Sequence, residues 1–181
     1  MKTATKINLL LLFLIVISMA GWTFYEDKKE TPNQIKLTYP DFKVLALDGE
    51  VTNFYDYKKE NIIVHFWATW CAPCLEELPD LVAYASKNKD DMTILAFAVQ
   101  DDEKDVHRFL KSMTDKEGLK YLPPNFPPNF IVALDESKAI SRDIFGTYKL
   151  PESYVFRENL ALQDKVIGAY ENWLEYESNS Y

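Results

Sequence analysis

The chain has little glycine, only two histidines and two cysteines, and no excess of positive charge. Five glycines in 181 residues, with 48% hydrophobic and 14% aromatic residues, exclude a collagen-like, low-complexity or disordered protein. With 20 basic against 28 acidic residues the net charge is −8. That balance speaks against nucleic acid as a partner, because phosphate contacts need clustered Lys and Arg. Two cysteines are too few for a disulfide scaffold or a four-cysteine zinc site. The length suits one domain with a short appendage. What the chain does have is one C-x-x-C, formed by Cys71 and Cys74.

The first 25 residues bear on location. Lys2 and Lys6 precede an apolar run over 7–25, within which 9–17 is unbroken Leu, Phe, Ile and Val. Small residues at Ser18 and Ala20 fit cleavage of a signal peptide after Ala20. The stretch also has the length of a bilayer span, with Trp22, Phe24 and Tyr25 at the interface. The expectation is an uncleaved anchor, its basic flank in the cytoplasm and the remainder facing the periplasm or cell exterior. The alternative is a soluble periplasmic protein released by cleavage. Residues 26–39 turn polar and charged and read as a linker, leaving 40–181 as the folded domain.

Strand and helix patterns alternate through that domain. Residues 42–47 and 51–54 flank Asp48-Gly49 as a hairpin does. Residues 61–67 (NIIVHFW) and 93–99 (TILAFAV) are apolar runs expected of buried strands. Helical spacing covers 73–88 and 103–113, and 136–145 reads as a short helix. A tandem PPNFPPNF within 121–130 forbids regular structure. Residues 131–134 read as a strand, 153–156 and 165–169 as a terminal hairpin, and 172–177 as a last helical turn. The alternation predicts an α/β domain with a central sheet and helices on both faces.

The chemistry falls at a strand-to-helix junction, Phe66-Trp67-Ala68-Thr69-Trp70-Cys71-Ala72-Pro73-Cys74. A helix N-terminus presents unpaired N–H groups and the positive end of its dipole, which favour a thiolate at Cys71. Pro73 suits the first turn, where its fixed φ is already helical. Cys74 lies one turn in, within reach of a mixed disulfide formed at Cys71. Cys71 is therefore the expected nucleophile and Cys74 the resolving thiol. A purely structural bridge closing so short a loop would constrain the unfolded chain little. A metal held by Cys71, Cys74, His65 and His107 lacks the paired-histidine spacing that zinc sites show.

The segment FWATWCAPCLEELP resembles the active-site segment of the TlpA/ResA group of membrane-anchored, thioredoxin-like thiol–disulfide oxidoreductases, which includes the cytochrome c maturation thioredoxins. The resemblance spans residues 41–169. It implies a thioredoxin-like fold with an N-terminal β-hairpin and a central insertion. It places Glu77 and Pro79 on the glutamate and helix-kinking proline that follow the redox motif. Leu150-Pro151 falls on the cis-proline loop, and 146–152 is similar to that loop in the maturation branch. Ala72 replaces an acid found in some members, Lys149 a common glycine, and His65 the buried acid of thioredoxin itself. The resemblance implies protein disulfide or dithiol substrates, apocytochrome c among them, and a membrane electron donor. No cofactor beyond the Cys71–Cys74 disulfide and no metal is expected.

Around the cysteines, Trp70, Leu150 and Pro151 are the expected substrate-binding residues, and His65 and Glu77 the expected pKa-tuning ones. A cis Leu150–Pro151 bond would set backbone beside the sulfurs to hold an extended client. His65 is a candidate to relay the proton of Cys74, although a hydrogen-bonded core histidine has the same signature. Asp101-Asp102-Glu103 follows a strand end and reads as a solvated face and helix cap. Trp67 reads as core, and Trp173, Leu174 and Tyr176 as packing. The expected activity is reduction of protein disulfides. A thiol oxidant and a non-catalytic peptide-binding module are the alternatives.

Overall fold

The computed structural model describes residues 39–58, 60–114 and 126–176. The expected anchor, residues 26–38 of the linker and residues 123–125 of the proline repeat lie outside the described residues. Among the described residues no helix is long and apolar enough to cross a membrane.

A hairpin of β1 (Lys43–Leu45) and β2 (Val51–Asn53) opens the domain, antiparallel as expected. There follow β3 (Asn61–Trp67), α1 (Ala72–Lys87), β4 (Met92–Val99), α2 (Glu103–Thr114), β5 (Phe130–Asp135), β6 (Glu152–Arg157) and β7 (Ala161–Ile167). The main sheet runs β5-β4-β3-β6-β7. β3 pairs parallel with β4 and β4 with β5, while β6 is antiparallel to both β3 and β7. β3 is thus the central strand, and its apolar run is buried on both sides. Parallel neighbours require a crossover, and α1 and α2 supply the two.

Alternation along β3 divides the core. Ile63 and Trp67 join Leu78 and Leu81 of α1 and Val106 of α2 on one face. Ile62, Val64 and Phe66 join Val44, Phe54 and Phe145 on the other. Helices on both faces are therefore realised unevenly. Both α-helices cover the first face, and the hairpin, a 3-10 turn at Phe54–Tyr57 and a π-helical turn at Ala139–Ile144 cover the second.

Two boundaries differ from expectation. The helix expected over 136–145 is only the π-helical turn, entered through Lys138 at φ 62°. The Asp135 carboxylate takes the N–H groups of Ile140 and Ser141, at 3.1 and 2.7 Å, and so fixes the start of the turn. The last strand begins at Ala161 rather than 165 and ends at Ile167. The link to it is three residues, with Asn159 and Leu160 both at positive φ. The final turn, Trp173–Glu175, packs on α1, and Trp173 and Tyr176 are buried.

Candidate active site

The redox motif sits where β3 gives way to α1. Cys71 is the N-cap of α1 in extended geometry, Ala72 and Pro73 open the first turn, and Leu75 N–H bonds back to Cys71 O at 3.2 Å. The intervening loop is held from behind. Asp101 accepts the Thr69 N–H at 2.7 Å and the Thr69 hydroxyl at 2.8 Å. Asp101 is buried, which corrects its assignment to a solvated face; Asp102 is the cap, accepting the Asp105 N–H at 2.8 Å. Cys71 and Cys74 form a disulfide. Cys74 is sealed, and Cys71 is 7% exposed, more enclosed than a fully solvated cap residue, yet it lines an open cleft of about 470 Å³. Trp70 and Leu150 line the same cleft. Trp70 is 61% exposed, whereas Trp67 is wholly buried against Phe109. Leu150–Pro151 is cis, and the Pro151 carbonyl accepts the Gly168 N–H at 2.9 Å.

Two buried titratable groups lie on the elements that flank the redox motif, Glu77 on α1 and His65 on β3. Glu77 is one helical turn beyond Cys74 and is buried. Its Oε1 accepts the indole N–H of Trp173, the backbone N–H of Tyr170 also donates to the carboxyl, and Oε2 has no partner. Burial pushes its pKa up to about 7, and those donors only partly oppose the rise. His65 is wholly buried on β3, on the sheet face that α1 covers. Its Nδ1 meets Ser153 Oγ at 2.8 Å and its Nε2 is unpartnered. Burial lowers its pKa to about 3, so the imidazole is neutral at ordinary pH. Neither ring nitrogen bonds to a cysteine sulfur. His107 is exposed on α2 beside Glu103.

Trp173→Phe removes the indole donor while keeping an aromatic ring in the core. The Glu77 midpoint should rise above 7 in a carboxyl NMR titration. Stability at pH 8 should fall by about 1.5–3 kcal/mol, the usual cost of losing a hydrogen bond to a charged group.

A family model for Redoxin matches residues 35–159, more than half of the chain. The chain is a member of the Redoxin family. It is 30% identical over 160 residues to the thioredoxin-like protein YneN of Bacillus subtilis, covering 87% of each chain. It is 28% identical over 172 residues to the thiol–disulfide oxidoreductase ResA of Bacillus anthracis, covering 93% of this chain and 91% of that one. The exposed lipoprotein thioredoxin Etrx1 of Streptococcus pneumoniae superposes with a TM-score of 0.59 at 25% identity, over 73% of this chain and 92% of that one. This Redoxin member is a thiol–disulfide oxidoreductase with a thioredoxin-like fold, and its dithiol pair is Cys71–Cys74.

The sequence did not expose every residue that builds the Redoxin site. Glu152 is fully buried next to Pro151, ion-paired with Lys165, and it accepts the Tyr154 hydroxyl at 3.2 Å. Lys165 also lies 4.7 Å from the Tyr154 ring centroid. Burial works against the Lys165 charge, but hydrogen bonds with Glu152 and Tyr154 outweigh it and hold the amine above its ordinary pKa. A lone acid in the otherwise uncharged run 152–156 was the available signal. A buried carboxylate needs a partner, and Lys165 was a candidate on the paired strand.

Proposed function

We propose that this Redoxin member is an extracytoplasmic reductase of protein disulfides, tethered to the membrane by residues 1–25. The observation that carries the proposal is the Cys71–Cys74 pair at the start of α1, with Cys71 lining an open cleft and Cys74 sealed beneath it. The Cys71 thiolate attacks one sulfur of a client disulfide, and the other client sulfur leaves as a thiolate. Cys74, deprotonated, then attacks Cys71 Sγ and expels the second client thiolate. The client gains two electrons, and the protein is left with its own disulfide, which a membrane dithiol donor reduces again. The Leu150–Pro151 loop holds the client in extended form beside the sulfurs. Apocytochrome c is the substrate suggested by the resemblance of residues 146–152 to the maturation branch.

Glu77 is the group best matched to the Cys74 proton, because its carboxyl titrates near neutrality. His65, neutral at ordinary pH, acts on Cys74 as a fixed dipole or a transient relay and not as a proton store. The enzyme should reduce insulin disulfides, and its Cys71/Cys74 potential, measured against glutathione, should lie near the thioredoxin value of about −270 mV. A potential near about −120 mV would assign the opposite direction, a thiol oxidant. Absence of turnover with an intact dithiol would leave the peptide-binding module.

The anchor has its own test. Lys2 and Lys6 on one flank of the apolar run set its orientation. Fractionated cells should hold the full-length protein in the membrane pellet, resistant to alkaline wash. A soluble form beginning at Gly21 would establish the cleaved signal peptide instead. Etrx1, described as an exposed lipoprotein, lends support to an extracytoplasmic site of action.

A further inference from the structure

The cleft over Cys71 has a charge opposite to that of the chain. Among the described residues its charged lining consists of Lys138 and Lys149, in a protein of net charge −8. Neither amine is ion-paired among the described residues. Two carboxylates behind the cleft are already committed. Asp101 accepts two hydrogen bonds from Thr69, and Asp135 accepts the N–H groups of Ile140 and Ser141. Both are buried. Lys149 is exposed and Lys138 half-buried, and each lines the cleft without an ion-pair partner among the described residues.

The same cleft gathers exposed apolar surface. Tyr148, 78% exposed, and Trp70 are the most exposed large hydrophobic side chains described, and both line it. Large rings left in water beside a reactive centre mark a contact surface. Backbone strain concentrates here as well. Lys138 and Gln100, two of the four non-glycine residues at positive φ, belong to the lining. Such conformations persist where surrounding structure imposes them, and they cluster at ligand clamps. At Lys138 the chain thus keeps a long cationic side chain where glycine would fit with less strain.

We propose that this cleft selects client disulfides lying in acidic segments that also carry an aromatic or aliphatic residue. Lys138 and Lys149 read the acid, and Trp70 and Tyr148 grip the apolar side chain. The proposal rests on the assignment of the protein as a reductase of protein disulfides and names the substrate class for that site. Each lysine contributes the modest amount typical of an exposed ion pair, and both together steer encounter, which amounts to about tenfold in rate at low salt.

The test uses full-length protein in nonionic detergent, reduced and freed of reductant. Two synthetic peptides share one intramolecular disulfide and one tyrosine and differ only in three acidic or three basic flanking residues. In each turnover the Cys71 and Cys74 thiols become a disulfide as the peptide disulfide becomes two thiols, and thiol release gives the rate. Each rate is divided by that peptide's rate with dithiothreitol, which removes intrinsic differences in reactivity. The acidic peptide should react about tenfold faster at low salt. The advantage should vanish near 1 M salt, where the screening length is about 3 Å. Lys138→Glu combined with Lys149→Glu should reverse the order. Lys138→Gly should melt no lower than the natural protein, because glycine adopts that φ freely, and should still lose part of the preference. Equal rates at low salt, or a preference unchanged in the charge-reversed variant, would overturn the proposal alone. No reaction with either peptide would remove the reductase assignment and this proposal with it.

Discussion

Replacing Cys74 by Ser should fill cells with mixed disulfides between Cys71 and client proteins, while Cys71→Ser should trap almost nothing. The asymmetry follows from position. Cys71 caps α1 and lines the cleft, where client sulfur arrives, whereas Cys74 is sealed inside the first turn. In the reduced protein, helix-terminal N–H groups should favour a thiolate at Cys71, and burial should disfavour one at Cys74. Alkylation of the reduced protein near neutral pH should therefore label Cys71 first, because a lower pKa raises the thiolate fraction by up to about tenfold per unit, only partly offset by weaker nucleophilicity, and because Cys74 is sealed. Mass spectrometry of the labelled peptides reads this directly. Equal trapping by the two variants, or faster labelling of Cys74, would reverse the roles of nucleophile and resolver.

The second large effect concerns pH and stability. Glu77 titrates near 7 in the folded protein against 4.5 when free, so folding holds its proton more tightly than the unfolded chain does. Its contribution is present in full below 4.5 and is lost as pH rises to 7, a change of about 3 kcal/mol. His65 is the opposite case. Its folded pKa near 3 lies below the free value of 6.5, so stability is present above 6.5 and is lost as pH falls toward 3, by about 5 kcal/mol. Between 4.5 and 6.5 the two slopes have opposite sign and offset one another. Full-length oxidised protein in detergent should show a plateau of unfolding free energy across that window, with a fall on either side. Glu77→Gln should remove the alkaline fall and gain stability at pH 8, and reduction of clients should slow. His65→Asn, which keeps a polar partner for Ser153, should remove most of the acid fall. Unchanged pH profiles in both variants would show that neither group titrates as described.

The residues that were legible in the sequence are those whose neighbours in the fold are also neighbours in the chain. β3, β4 and α1 appear as apolar runs and helical spacing, and the redox motif lies between two of them. β7 was partly hidden because Ala161, Leu162, Gln163 and Asp164 include no β-branched residue, and their place on an edge strand buries little. The π-helical turn has the sequence pattern of an ordinary helix, because the Asp135 side chain that shapes it lies in the preceding strand. In the site, Cys71, Trp70 and Leu150 line one cleft, and Cys74 is buried and disulfide-bonded to Cys71. Asp101 holds Thr69 across 32 residues and Trp173 holds Glu77 across 96, and no local pattern records either pair.

The bond between Trp173 and Glu77 also sets an order of events during synthesis. The ribosome releases Cys71, Cys74 and Glu77 long before it reaches Trp173. Until that indole and the Tyr170 N–H arrive, Glu77 stands in water with the acidity of an ordinary glutamate. β6, which brings Ser153 to His65 and begins just after Pro151, is likewise a late arrival. A nascent chain therefore carries both thiols before Glu77 and His65 have their final partners. The surroundings of Glu77 are completed by the last described turn of the polypeptide, and a chain cut short before residue 173 would keep Glu77 without its indole donor.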